Sequence, residues 1–275
     1  MSETYQSADT PINEHARVQR VRRTGLMDTD QSARFDVFTE LAKTLTGCPG
    51  AYTGLLDEER QYFLSSDFGD ANDLPDSEVG RPATLCQYAL LSYQPLVVED
   101  LREHPILKNN ALVQNPPHWQ FWAAFPLITH DGLVLGTLCV IDYKPRQLSQ
   151  QTLDLMTRVA ETMTRQIIQQ MDNREALAEK MHDLLGAALA RETPVSVAAL
   201  HGFMALTADL PVAPEQGAAA VAAGLACSVG TAFELSEEGR RLQQEHGLVE
   251  STYRRRMAAP KKSVSLDDLL MAMED

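Results

Sequence analysis

Apolar residues fall at helical spacing after Asp28-Thr29-Asp30, at Phe35, Val37, Phe38, Leu41 and Leu45, until Gly47 and Pro49 stop the run. Arg17 to Gly25 predicts a shorter helix ahead of it, and residues 1–16 are polar and read as a mobile tail. Ala51 to Leu56 and Gln61 to Phe68 are apolar stretches on either side of Asp57-Glu58-Glu59-Arg60, which predicts a β-hairpin. Residues 69–82, rich in Asp, Gly and Pro, predict a loop. Thr84 to Ser92 predicts a short helix, and Pro95 to Val98 a short strand. After an irregular stretch at 101–118, Phe121 to Ile128 and Leu133 to Ile141 form the clearest hairpin. Its Asp131-Gly132 supplies the positive φ that such turns require. Helix, two strands, helix, strand, loop and two strands predict an α+β fold, with a central antiparallel sheet flanked by helices.

A different pattern begins at Ser149. Up to about Arg191 there is no proline, and a heptad runs through Leu153, Met156, Ala160, Met163, Ile167, Gln170, Arg174, Leu177, Met181, Leu184 and Ala188. Nine of these eleven are apolar, the mark of a long helix with a coiled-coil-like seam. For Leu153 to Ile167, two coverings are equally open: the domain's own sheet or a second chain. Beyond Ile168 the helix outruns a small domain by ~30 Å. A homodimer seam through Leu153, Met156, Met163, Ile167, Leu177, Met181 and Leu184 is therefore expected.

The rest of the chain predicts an all-helical region. One helix starts at Val195, an Ala-rich helix covers Glu215 to Leu235 with three glycines, and Ser236 caps a last one. A basic linker and a short acidic amphipathic tail fill 248–275. The expected organisation is a tail at 1–16, a sheet-bearing domain at 17–170, a helical dimerisation or output region at 171–247, and the linker and tail at 248–275.

Composition narrows the functional classes. The chain is 44% hydrophobic with a net charge of −14, which argues against general nucleic-acid binding. No apolar run approaches the ~20 residues of a bilayer-crossing helix, and no signal peptide opens the chain, so a cytoplasmic protein without membrane attachment is expected. Cys48, Cys86, Cys139 and Cys227 form no CxxC pair and carry no zinc spacing, so no metal is expected. Free, buried thiols are the expectation in a reducing compartment. No phosphate loop, GxGxxG or nucleophile–base spacing is present, so the chain is expected not to be an enzyme.

Six ordered blocks resemble one family. They are Gly25-Leu26-Met27-Asp28-Thr29 with Phe35-Asp36, Asp57 to Phe63, Leu85-Cys86-Gln87-Tyr88-Ala89-Leu90, Pro95 to Asp100, Phe121 to Leu127, and Asp131 to Asp142 followed by Pro145 to Ser149. Residues 17–170 resemble a GAF domain of the type that opens bacterial histidine kinases and diguanylate cyclases. Trp122 and Ala124 stand where such relatives carry Tyr and Gly. The resemblance implies a sensory module without catalysis of its own, which binds a small ligand or serves as a dimer scaffold.

The expected pocket is the sheet face under the Thr84 helix and the 101–120 loop, lined by Cys86, Gln87, Tyr88, Trp119, Phe121 and Trp122. Aromatic walls with a few polar groups suit a small organic ligand, of unknown identity; the reading set slightly ahead of it is that the aromatics simply fill the core. Asp142 and Arg146 are expected to pair or cap the strand exit.

Three readings stand. The first is a regulatory protein that passes a ligand or partner signal along the long helix to a signalling partner bound through 193–275. The second is a ligand-free dimeric adaptor whose C-terminal helices resemble degenerate histidine-kinase helices. The third is a thiol-based redox sensor or reductase using Cys86 and Cys139.

Overall fold

Along strand β5 (Phe121–Ile128) the side chains divide two ways. Phe121, Ala123, Phe125 and Leu127 enter one apolar core, and Trp122 and Ala124 enter another. Strand β6 (Val134–Asp142) repeats the split, with Leu138 and Val140 on the first side and Cys139 and Ile141 on the second. A period of two, buried on both faces, makes these strands the middle of a layered fold.

The computed structural model describes residues 5–29, 32–69, 77–189, 195–208, 210–230 and 232–248, without the side chains of 32, 177, 178, 181, 182, 184, 185 and 187–189. The remaining strands are β1 (Gly50–Leu56), β2 (Arg60–Asp67), β3 (Glu78–Gly80) and β4 (Leu96–Val98). They form one six-stranded sheet in the order β3-β2-β1-β6-β5-β4, with every neighbouring pair antiparallel. The central sheet is therefore as the sequence predicts. Strand β3 falls inside the stretch expected to be loop; three residues among Asp, Gly and Pro are too few to show a period. Glycines draw β1 and β6 together: a Cβ on Gly136 would sit 1.9 Å from the Gly54 carbonyl oxygen.

Helices α1 (Glu14–Thr24), α2 (Ser32–Thr46) and α5 (Gln150–Leu189) supply the first core. Val21, Phe35, Phe38 and Leu41 join Met156, Val159, Ala160, Met163 and Ile167 there. Of the two coverings open for the first half of the long helix, the structure thus has the domain's own sheet. Met156, Met163 and Ile167, expected in a dimer seam, are fully buried within a single chain, and Leu153 is packed half-buried on the same core. The heptad and the amphipathic pattern of a core helix coincide over two turns, so spacing alone did not separate them. Leu177, Met181 and Leu184 lie outside the described side chains, and the 249–275 segment outside the described residues.

Helix α1 starts three residues before the predicted Arg17, and Arg17 is wholly buried. Its guanidinium donates to both Glu14 carboxylate oxygens at 2.8 Å, to the Leu56 carbonyl, and to the Asp57 carbonyl at 3.3 Å. Arg81 reaches the same carboxylate and donates to the Asp57 carbonyl at 2.8 Å. At the far end of the sheet, Arg146 pairs with Asp142, as expected, and donates to the Thr46 and Gly47 carbonyls that end α2.

The chain divides into two compact units, one running to Asp172 and the second from Asn173. The second contains α6 (Val197–Thr207), α7 (Pro214–Ala222), a hairpin of β7 (Ala226–Val229) and β8 (Ala232–Leu235), and α8 (Glu237–Glu245). It is mainly helical, but the hairpin replaces the second half of the predicted Ala-rich helix. Gly224 and Gly230 adopt φ of 71° and 62°, which end α7 and turn the hairpin. Gly202 and Gly217 instead mark close packing: a Cβ would lie 2.3 Å from the Gln216 carbonyl oxygen and 2.2 Å from the Phe233 ring, respectively.

Burial opposes a charge on Glu14, but Arg17 and Arg81 outweigh it and bring the carboxyl from 4.5 to about 2. A depressed folded pKa contributes stability that is full above pH 4.5 and is lost as pH falls toward 2. Glu14→Gln should therefore lower stability at neutral pH and flatten its decline between those two values, as read from urea unfolding at a series of pH. Parallel wild-type and variant curves would show that the carboxylate contributes nothing.

Candidate functional site

The second face of the sheet is roofed by the short helix α3 (Cys86–Ala89), by 101–118 and by α4 (Ala111–Gln114). At its β2 side lies a cavity of about 220 Å³. Tyr52, Phe63, Phe68 and Trp119 wall it, joined by Gln61 and Thr84. The rings pack on one another: Tyr52 meets Phe63 edge-on at 5.5 Å and stacks on Trp119 at 5.9 Å, and Phe68 lies 6.1 Å from Trp119. These contacts hold the walls in place whatever occupies the cavity.

Two lining residues carry buried donors without a partner among the described residues, Gln61 Nε2 and Trp119 Nε1. Gln61 is wholly buried and Trp119 is 3% exposed. The Gln61 oxygen accepts the Thr84 hydroxyl, so its amide nitrogen is what remains. Both nitrogens are themselves buried, with Gln61 Nε2 packed over Gly54, and leaving such a donor unmet costs about 1–3 kcal/mol.

Of the six residues expected to line a pocket, Trp119 does so. Trp122 lies deeper, donating its indole N–H to the Tyr52 hydroxyl at 3.0 Å. Cys86 is fully buried, with its sulfur 3.2 Å from that hydroxyl and 3.5 Å from the sulfur of Cys139. Phe121 is on the opposite face, in the core shared with α5, because it is one residue from Trp122 in a strand. Gln87 and Tyr88 face the N-terminal segment instead. The Gln87 amide donates to the Tyr5 hydroxyl at 3.0 Å and accepts from the Ala8 backbone at 3.0 Å, and Tyr88 donates to the Gln6 carbonyl. Part of the segment expected as a mobile tail is thus bound to α3. Sequence reasoning missed Tyr52, Gln61, Phe63 and Phe68. A buried Gln inside an apolar strand was the available signal.

A larger depression of about 820 Å³ lies between β4, β5 and the start of α5, lined by Tyr93, Val97, Phe125, Leu153 and Glu161 among others. The aromatic cavity, walled by four rings under the roof of the sheet, is the better candidate despite its smaller size.

Burial pushes the Tyr52 phenol and the Cys139 thiol well up. At Cys86 burial is opposed by hydrogen bonds with Cys139, Thr137 and Tyr52, which bring it to about 7. The two thiols therefore hold at least one proton between them at neutral pH. Burial also raises Tyr5 to about 12, aided by Tyr88.

Tyr52→Phe should keep the fold but strand the Trp122 indole N–H in an apolar setting, a loss of about 1–3 kcal/mol in denaturant unfolding. A neutral substitution would show that this hydroxyl is dispensable.

Several known proteins resemble parts of this chain. A cyclic di-GMP phosphodiesterase of Pseudomonas aeruginosa is 35% identical over 136 residues, 50% of this chain and 22% of that protein, so the chain spans about a fifth of the relative's length. The GAF domain of PixJ from Thermosynechococcus elongatus, in its blue-light-absorbing form, has a TM-score of 0.45 at 14% identity, covering 63% of this chain and 98% of the other. The second GAF domain of DevS from Mycobacterium smegmatis has a TM-score of 0.41 at 18% identity, covering 53% and 99%. The GAF domain model matches residues 30–167. That span is half of the chain and carries all six strands of the sheet, and on this match the protein belongs to the GAF domain family.

Proposed function

We propose that the protein is a non-catalytic sensory GAF module in which a small ligand enters the cavity beside Trp119 and biases helix α5. The observation that carries this reading is the cavity of about 220 Å³ walled by the rings of Tyr52, Phe63, Phe68 and Trp119. The strands offer the route: the residues that back the cavity face alternate along β5 and β6 with those that pack on α5. Helix α5 continues past Asp172 into the second unit, so covalent continuity carries a shift onward. A ligand moves this equilibrium only if it binds one state better than the other. In the same reading the chain works as a cytoplasmic homodimer, joined through the later part of α5, with 193–275 taking a signalling partner. The phosphodiesterase activity of the Pseudomonas relative is not carried over, because most of that protein has no counterpart here.

The test is a thermal-shift screen of uncharged and charged small molecules, paired with light scattering for mass. A ligand at a hundred times its Kd adds about 2.7 kcal/mol and raises Tm by several degrees. Leu112→Trp, which places a bulky ring on the cavity wall, should melt normally and lose that response. The mass should be about twice the 30.4 kDa of one chain. Ligands that act equally on wild type and Leu112→Trp would remove the cavity from the account, and a monomer would remove the dimer.

One observation favours a second reading, the 3.5 Å approach of the Cys86 and Cys139 sulfurs. Here a peroxide takes two electrons from the pair: both thiols lose their protons, one S–S bond forms, the O–O bond breaks, and two waters leave. Intact mass after peroxide treatment should fall by about 2 Da, and Cys86→Ser should abolish the change. An unchanged mass in the treated wild type would eliminate this reading.

A further inference from the structure

We infer that residues 5–8 form a strap that holds the roof helix α3 closed, and that the Cys86 thiol becomes reachable only when this strap lets go. Such a strap goes beyond either reading above and serves both, because α3 roofs the cavity face and carries one of the two paired thiols.

Helix α3 is too short to hold itself. It has four residues, and its N-cap makes no side-chain cap bond. The backbone bonds that follow its course lengthen along the chain, from 3.1 Å at the Tyr88 N–H to 3.3 Å at Leu91 and 3.5 Å at Ser92. A single turn has no stability of its own, so α3 keeps its shape through what packs on it. Leu85, Cys86, Ala89 and Leu90 enter the second core. Its polar side chains meet the N-terminal segment.

The contacts are specific. The Tyr5 hydroxyl accepts from the Gln87 amide at 3.0 Å and donates to the Thr84 carbonyl at 3.2 Å. The Ala8 N–H donates to the Gln87 oxygen at 3.0 Å. Tyr88 donates to the Gln6 carbonyl, and its ring meets Tyr5 edge-on at 6.3 Å. Tyr5 also packs against the core that contains Cys86. Burial pushes its phenol up to about 12, so the hydroxyl keeps its proton and goes on donating at neutral pH. Withdrawing the strap takes all of these contacts from a one-turn helix together. Water can replace the hydrogen bonds but not the tether, because it does not link α3 to α1.

The strap is poised to leave and to return. Gln6, Ser7, Asp9 and Thr10 are exposed, so few buried contacts oppose release. Helix α1 begins soon after, at Glu14, and is fixed by the buried Arg17. A short tether of this kind keeps the local concentration of the strap high. Cys86 is fully buried and is the first residue of the helix that the strap holds, so opening of α3 takes its sulfur away from Cys139 and toward solvent.

Alkylation of the native full chain with N-ethylmaleimide, followed over time by peptide mass mapping, reads each thiol separately. Cys48, buried in the core on the other face, reports general unfolding. Tyr5→Ala should speed labelling of Cys86 about tenfold or more and leave Cys48 unchanged, because labelling of a buried thiol tracks the population of the open form. Removing residues 2–9 should act at least as strongly, and Ser7→Ala, at an exposed position of the strap, should change neither rate. The readout needs neither a ligand nor a peroxide, so it stands apart from the tests of the two readings above. Equal Cys86 rates in the wild type and Tyr5→Ala would overturn the strap. So would a parallel rise at Cys86 and Cys48, the mark of loosening throughout the domain.

Discussion

All nine residues of β6 are buried, and this double-sided burial is the constraint on which the other features rest. A strand with solvent on one face tolerates polar residues at every second position. β6 tolerates almost none, and its polar exceptions are each bonded: Thr137 to Cys139, and Asp142 to Arg146. The same strand forces Gly136 against Gly54, because any side chain there would displace the backbone of β1. Helix packing on one face and cavity formation on the other are therefore not independent. A change in the spacing of β1, β6 and β5 is felt on both sides.

The cavity face holds polar groups in two conditions. Around Tyr52 they are satisfied: its hydroxyl takes the Trp122 indole and lies against Cys86, which in turn meets Cys139. A satisfied buried network holds its members in one arrangement. A few residues away, Gln61 and Trp119 keep donors unmet. A core evolved only to be stable would replace them with apolar residues of similar shape at little cost.

Much of this was legible in the chain. Asp131-Gly132 between two apolar runs placed the β5–β6 hairpin correctly, because only a tight turn accommodates that pair, and Gly132 has a φ of 77°. Single-residue faces were not legible. Aromatic content drew Phe121 and Trp122 into one pocket, whereas the strand period sends them to opposite cores. Gly217, Gly224 and Gly230 looked alike in an Ala-rich stretch. One packs under a ring and two turn the chain, and the difference lies in contacts and positive φ that composition does not carry. The cavity itself escaped because its walls come from three places in the chain: Tyr52 on β1, Gln61 and Phe63 on its partner β2, and Trp119 in the loop ahead of β5.

The energies involved bound what such a cavity can signal. In the proposed sensory reading, a ligand bound more tightly in one of two states by about 2–3 kcal/mol supplies the bias. That difference shifts a two-state equilibrium about 30- to 150-fold, the usual range of coupling between sites. It is enough to move a helix population from rare to dominant when the resting bias is modest, and too little to invert a strong one. Met156, Met163 and Ile167 are fully buried against the sheet, so the first half of α5 has no slack to absorb the change locally. Under the proposed reading, displacement of the strands would be relieved where the helix leaves that core, toward its second half.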